Sequence, residues 1–315
     1  MPDAAADPGP DPLADLIAPD APRWFVDALA VDVTDEHVDV DGCPIHYLAW
    51  GERGRRGLVF VHGGGAHAHW WTHVAAPYAR DHRVVAIDLS GHGQSGWRDH
   101  YSLAQWSAEV VAVAADAGID GLPVVIGHSM GGFVTIATAA EHPDAVEGVI
   151  VVDSPVAEPD PEVGVARAGA AFGLPRVYPT ADEALGRFRT VPEQDHYLSF
   201  VMHHVARRSL HVVPGGWSWR FDHTVFSAFP RSIRAVALPF LPQVRCRFAL
   251  LRCQHGLVTP DIGDSMYEML GRVAPVVELP EAGHHPMLDE PLVLTTAVRS
   301  LLADWDHSTP RPRRD

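Results

Sequence analysis

Leu122-Pro123-Val124-Val125-Ile126-Gly127-His128-Ser129-Met130-Gly131 is the stretch that decides how this chain folds. Its apolar run is the length of a buried strand, and residues 133–140 carry a helical pattern directly afterwards. Gly-x-Ser-x-Gly therefore falls on a sharp strand-to-helix turn. Such a turn leaves no room for large neighbours, so glycines flank the serine and its Oγ stands clear of the sheet. The pentapeptide alone is a weak signal. With His62-Gly63-Gly64-Gly65 upstream and Gly283-His284-His285 far downstream, it becomes a strong one.

Working outward, apolar runs alternate with helical patterns. This predicts an α/β fold: a mostly parallel central sheet of about eight strands with helices on both faces. Residues 37–40 and 44–50, separated by Asp41-Gly42, predict an antiparallel hairpin at the sheet edge. Further strands are expected at 57–61, 84–87, 148–152, 248–251 and 275–279, with helices at 103–117 and 292–305. The first of these helices places Val110, Val111 and Ala114 on one stripe.

From 155 to 235 the alternation stops. A stretch this long must hold structure of its own, and it is read as a mainly helical cap inserted into a core of residues 23–154 and 236–305. Residues 1–22, rich in Pro, Asp and Ala, have neither a basic start nor an apolar core. A disordered leader is expected there rather than a secretory signal, and a disordered tail at 306–315.

A chain of 315 residues that is 47% apolar can bury a large core. Its net charge of −16 argues against nucleic acid or an anionic membrane surface as partner, and no apolar stretch is long enough for a membrane span. Cys43, Cys246 and Cys253 are too few and scattered for a disulfide framework. Cys246 and Cys253 lie an odd number apart on one predicted strand, so they face opposite sides. A cytoplasmic location is the expectation; composition sets no oligomeric state.

An exposed serine becomes a nucleophile only when a base takes its proton and a third group fixes that base. His284, on the loop after the last predicted strand, is the candidate base, because the C-terminal strand ends of an open α/β sheet share one crevice. His285 stands beside it. An oxyanion needs two N–H donors aimed at one point. Met130, after the serine, supplies one and Gly64 the other. A phosphate cradle would want Lys-Ser/Thr after the glycines, and Ala66-His67 follow instead.

His62, His67, His69 and His73 match no zinc spacing, so no metal is expected, and no cofactor. Trp70 and Trp71 are core or pocket wall. His128, Trp217 and Trp219, with Phe221, are candidates for a small-molecule pocket. Cys253 reads as inert packing.

By its motifs the chain resembles the α/β-hydrolase fold superfamily over about residues 36–305. The matching stretches are His62-Gly63-Gly64-Gly65, Asp88-Leu89-Ser90-Gly91-His92-Gly93-Gln94-Ser95, Gly127-His128-Ser129-Met130-Gly131-Gly132, Val151-Val152-Asp153-Ser154-Pro155 and Ala282-Gly283-His284. The resemblance implies a capped serine hydrolase with a serine–histidine–acid triad.

One departure matters. Most relatives close the penultimate strand with Gly-x-x-Asp, whereas here Cys253 takes the glycine place and Gly256 the aspartate place. Some relatives carry the acid after the strand that follows the nucleophile helix, where Asp153 stands. Asp153 is therefore the expected acid and Asp261 the alternative. A serine at the elbow, rather than a carboxylate, disfavours dehalogenase or epoxide-hydrolase chemistry, although Asp88 also ends a strand nearby.

The expected activity is hydrolysis of a small to medium carboxylic ester or lactone through an acyl-enzyme. Two alternatives are a carbon–carbon bond hydrolase of diketone-type compounds using the same triad, and a ligand sensor that retains the pocket.

Overall fold

The computed structural model describes residues 15–158, 176–227, 235 and 237–308. Ten strands are described, in chain order Val33–Val40 (β1), Cys43–Trp50 (β2), Arg56–Val61 (β3), Arg83–Ile87 (β4), Asp120–His128 (β5), Gly148–Val152 (β6), Leu210–Val213 (β7), Gly216–Trp219 (β8), Arg247–His255 (β9) and Val276–Gly283 (β10). Eight form one sheet in the order β1-β2-β4-β3-β5-β6-β9-β10, while β7 and β8 pair separately. The β1/β2 and β2/β4 pairs are antiparallel and all other pairs of the large sheet are parallel.

Successive side chains of a strand point to opposite faces, and here both faces are covered. Leu58 and Phe60 of β3 enter one apolar cluster while Val59 and Val61 enter the other. This is why these strands read as continuous apolar runs rather than alternating ones.

The described helices are Arg23–Leu29 (α1), Thr72–Ala75 (α2), Leu103–Asp116 (α3), Met130–Glu141 (α4), Ala181–Leu185 (α5), Ser199–Arg208 (α6), Thr224–Ser227 (α7), Pro260–Met269 (α8), Pro286–Asp289 (α9) and Pro291–His307 (α10). Helices α3 and α4 cover one face of the sheet, and α1, α2 and α10 the other. Ser102 caps α3, accepting from the Gln105 N–H at 3.2 Å. The buried stripe of α3 runs through Leu103, Trp106, Val110, Val113 and Ala114, with Val111 only half-buried. The 3.6-residue period therefore selects Val113 where the sequence suggested Val111.

After β3 the chain moves outward to β4, then returns to the other side of β3 for β5. This reversal opens a crevice at the C-terminal ends of β3 and β5, where the His-Gly-Gly-Gly loop and Ser129 sit.

Between β6 and β9 the chain leaves the sheet for α5, α6, the β7–β8 hairpin and α7. The expectation of a mainly helical stretch missed this hairpin. Trp217 and Trp219 alternate with period two, and Pro214-Gly215 makes a two-residue turn in which Gly215 has φ 91°. The hairpin end is tied to the core. Gly93 N–H donates to the Arg220 carbonyl (2.8 Å) and Asp222 N–H to that of Gly91 (2.7 Å). Tyr101 Oη–H donates to Asp222 Oδ2 at 2.6 Å.

The chain ends also depart from expectation. Residues 15–22, assigned to the leader, lie against α6: the carbonyls of Asp15 and Leu16 accept from His203 Nε2 (2.9 Å) and His204 Nδ1 (3.3 Å), and Ala18 is buried. Asp306, assigned to the tail, belongs to α10 and pairs with Arg56 at 2.6 Å. Residues 1–14 of the leader, 309–315 of the tail, and 159–175 and 228–234 of the expected cap lie outside the described residues. No described helix is long and apolar enough to cross a membrane.

Candidate active site

Strand β5 ends at His128 and α4 begins at Met130, leaving Ser129 alone in the turn with φ 53° and ψ −119°. A side chain at positive φ is strained, and such strain survives only where the surroundings enforce it. They do so here. A Cβ at Gly127 would lie 2.2 Å from Thr135 Oγ1, and one at Gly131 would lie 2.4 Å from the His62 carbonyl oxygen. The helix closes on its own strand and on β3 at once, so both flanking residues are glycine.

His284 follows β10 and is buried. A carboxylate only accepts, so His284 Nδ1 carries the hydrogen and donates to Asp153 Oδ2 at 2.7 Å. That leaves the Nε2 lone pair facing Ser129 Oγ at 3.0 Å.

Asp153 stands immediately after β6 with φ 44°. Its carboxylate also accepts from the N–H groups of Cys253 (3.2 Å), Leu257 (2.7 Å) and Val258 (3.2 Å). Burial pushes this carboxyl's pKa up, but the hydrogen bond and charge of His284 and the backbone donors outweigh it, so the group is held below its ordinary value.

The three donors lie at the end of β9 and on the loop after it. There, a Cβ on Gly256 would sit 2.3 Å from Asp153 Oδ2. The missing side chain at 256 is the space that Asp153 occupies. Asp261 is exposed in the first turn of α8 and shares no hydrogen bond with His284. Of the two acids considered, the fold brings only Asp153 to the histidine.

Gly64 and Met130, the expected oxyanion donors, flank the serine. Among the described residues neither N–H has a hydrogen-bond acceptor, and Met130 opens α4, whose N-terminal dipole favours negative charge. A Cβ on Gly63 would lie 3.3 Å from Ser129 Cβ, so the loop lies directly on the nucleophile turn. His62 clamps it by donating from Nδ1 to the Gly63 carbonyl (2.7 Å) and accepting the Leu89 N–H at Nε2 (3.1 Å).

Ser129 opens into a cavity of about 690 Å³, with Trp70, His128, Trp219 and Phe221 among its lining. Trp217 is not part of that wall. It packs with Ala181, Ala184 and Leu210 in a small core of the inserted segment. Trp71 is likewise core, its ring 5.1 Å from that of Phe60. Asp88 is structural, its buried carboxylate accepting from His46 Nδ1 (2.7 Å), Ala68 N–H (2.6 Å) and Gln94 N–H (2.8 Å). Burial and the Asp153 charge raise the Cys253 thiol well above its usual pKa, which leaves it inert.

His62, His67, His69 and His73 do not converge; each is held by a different partner. Instead His128, His284 and His285 offer nitrogens within 4.8 Å of one another. His128 donates from Nε2 to the His284 carbonyl (2.7 Å), and His285 from Nε2 to the Pro192 carbonyl (3.1 Å). Burial first, then the His284 charge, lowers both their pKa values, to about 3 for His128. Neutral imidazoles of this kind could ligate a divalent ion.

Sequence reasoning missed two residues that hold the histidine turn. Gln194 accepts the His285 N–H (2.9 Å) and donates to Asp289 Oδ2 (2.8 Å), which in turn accepts the Gly283 N–H (2.6 Å). Gln194 lies in the inserted segment with no local motif around it. For Asp289, closeness to His284 was the only available signal.

The profile of the alpha/beta hydrolase family matches residues 58–297. An esterase of Mycobacterium tuberculosis is 28% identical over 269 residues, covering 82% of this chain and 86% of its own length. An sn-1-specific diacylglycerol lipase of Mus musculus is 27% identical over 296 residues, covering 87% and 93%. Among solved structures, the M. tuberculosis esterase superposes with a TM-score of 0.70 at 25% identity, covering 94% of this chain and 99% of its own. An E-2-(acetamidomethylene)succinate hydrolase reaches 0.75 at 18% identity over 86% and 100%, a likeness of fold.

Proposed function

This chain belongs to the α/β-hydrolase family, and within it we propose a serine hydrolase of small to medium carboxylic esters or lactones that works through an acyl-enzyme. The observation that carries the reading is the relay from Asp153 through His284 to Ser129, at 2.7 and 3.0 Å, ending on a strained turn beside two N–H groups that have no acceptor among the described residues. The relatives that span most of this chain include an esterase and a lipase, which favours the ester over the carbon–carbon bond.

Ser129 Oγ attacks the carbonyl carbon as His284 Nε2 takes its proton, and Asp153 stabilises the imidazolium. The Gly64 and Met130 N–H groups receive the charge developing on the carbonyl oxygen. Collapse of the tetrahedral intermediate expels the alcohol, to which His284 returns the proton. Water, deprotonated by the same imidazole, then attacks the acyl-enzyme and releases the acid and Ser129. In a lactone the alcohol stays tethered to the product. These steps use no cofactor. The inserted segment, which supplies Trp219 and Phe221 to the cavity, selects the substrate. Three free cysteines fit a reducing cytoplasm.

A fluorophosphonate probe should label Ser129, and a p-nitrophenyl ester should be turned over many times. Asp153→Asn should lower kcat by about 10⁴-fold, while Asp261→Asn leaves it near wild type. Labelling without turnover would support the sensor instead. Cleavage of a vinylogous diketone by a protein inert to aryl esters would support the carbon–carbon hydrolase.

A further inference from the structure

The chain carries 40 carboxylate side chains against 24 cationic ones, so chance alone would make a cavity wall acidic. The described wall of this one holds Arg176, Arg187, Arg189 and Arg220 and no Asp or Glu. Arg189 is engaged, facing Glu193 at 3.7 Å and donating to the Phe188 carbonyl at 2.6 Å. Arg176 and Arg187 are exposed and have no ion-pair partner among the described residues.

Arg220 is different because it is half-buried and built in. Its N–H donates to the Ser209 carbonyl (2.9 Å) and its own carbonyl accepts from Gly93 N–H (2.8 Å). Its Nε–H donates to the Leu210 carbonyl at 2.7 Å, which orients the guanidinium while leaving both Nη groups without an acceptor among the described residues.

Among the described residues, the two carboxylates whose charge reaches Arg220 are already committed. Asp88 is held by His46 Nδ1 at 2.7 Å, and the exposed Asp35 meets His46 Nε2 at 3.0 Å. A second half-buried guanidinium, Arg208, repels Arg220, and its Nε is buried without a partner among the described residues. A partly desolvated guanidinium without a counterion is costly to hold. Two oxygens of a carboxylate or of a phosphate satisfy it through two parallel hydrogen bonds.

We propose that the substrate carries an oxyanionic group, a carboxylate or a phosphate, away from its scissile carbonyl, and that Arg220 binds this group while Arg187 attracts it toward the cavity. The inference rests on the hydrolase reading above and names the substrate class for that site. A net charge of −16 would otherwise repel such substrates, so a cationic lining serves as local attraction within a repulsive field.

The test compares kcat/KM for p-nitrophenyl butyrate, the mono-p-nitrophenyl ester of glutaric acid and a phosphate-bearing aryl ester, in wild type, Arg220→Gln and Arg187→Gln. The wild type should favour one anionic ester over the neutral one, and which anion wins distinguishes carboxylate from phosphate. In Arg220→Gln the anionic-to-neutral ratio should fall about 10-fold or more. In Arg187→Gln, an exposed change that spares the fold, it should fall by less, and added salt should erase that smaller part.

A wild-type ratio at or below one, or a ratio unmoved by both substitutions, overturns the inference while leaving ester hydrolysis intact. If no ester turns over, the hydrolase reading fails instead. Calorimetric binding of glutarate and inorganic phosphate to wild type and Arg220→Gln then decides the anion site alone: tighter binding by wild type supports it, and equal or absent binding overturns it.

Discussion

Gly256→Ala adds a single methyl group, outside the cavity lining, and should cripple turnover. The new Cβ would fall 2.3 Å from Asp153 Oδ2 and 2.4 Å from Oδ1, where ordinary contacts begin at 3.4 Å. Gly256 is not among the positive-φ residues, so alanine brings no backbone strain and the whole effect falls on the carboxylate. Asp153 has no slack to absorb it, being fully buried and pinned by three N–H groups as well as by His284.

Either the carboxylate retreats from His284 Nδ1, or the 253–258 segment swings outward and gives up the three donors. A misplacement of about 1 Å costs on the order of 10²-fold in rate, and full loss of the acid, about 10⁴-fold, sets the ceiling. The assay is kcat and KM for p-nitrophenyl butyrate in Gly256→Ala, Asp153→Asn and the double variant, with folding checked by circular dichroism. The expected result is kcat lowered by about 10²-fold at nearly unchanged KM. The double variant should be no worse than Asp153→Asn, because both substitutions act through one contact. A folded Gly256→Ala with wild-type kcat would refute the account of how the acid is housed.

Three further outcomes are expected. Ser129→Gly removes a side chain from φ 53° and should raise the melting temperature by relieving about 1–3 kcal/mol of strain while abolishing labelling by the fluorophosphonate; an unchanged or lower melting temperature would count against a strained turn. Trp217→Ala empties the small core of the inserted segment and should destabilise it by about 3–5 kcal/mol, whereas Trp219→Ala should mainly alter KM across acyl chain lengths; urea melts and substrate profiles separate the two.

Acid should destabilise the protein early. Burial lowers His67, His92, His128 and His204 to a pKa of about 3 and His73 to about 4. The unfolded chain takes up protons on these rings near pH 6.5 and the folded chain does not. Their stability is therefore complete above that pH and lost as pH falls below it, by at most about 1.4 kcal/mol per ring per pH unit. A melting temperature that stays flat from pH 7 to 5 would contradict their being buried and neutral.

Much of the core was legible because its signals are local. The inner strands β3, β4 and β6 are buried apolar runs, and the Ser129 turn announces itself because only glycine fits at 127 and 131. Gly256 was legible only as an absence. Its meaning appears once β6 and β9 pair, which carries Asp153 into the space a side chain there would have filled. The inserted segment was least legible. Its hairpin depends on Gly216 meeting the Tyr178 backbone, where a Cβ would lie 2.0 Å from the carbonyl oxygen. The parting of Trp217 from Trp219 depends on what packs above each ring.

Sequence alone marked most of the sheet and named Ser129 and His284 as candidate nucleophile and base, with Asp153 and Asp261 as rival acids, because strand period, turn sterics and side-chain acidity belong to residues and their near neighbours. Tertiary structure alone decided that Asp153 rather than Asp261 meets His284, that Gln194 and Asp289 hold the histidine turn, and that four arginines face one cavity. Those juxtapositions join residues far apart in the chain. Distance in space, not spacing along the backbone, governs hydrogen bonds and charge, so no local pattern encodes them.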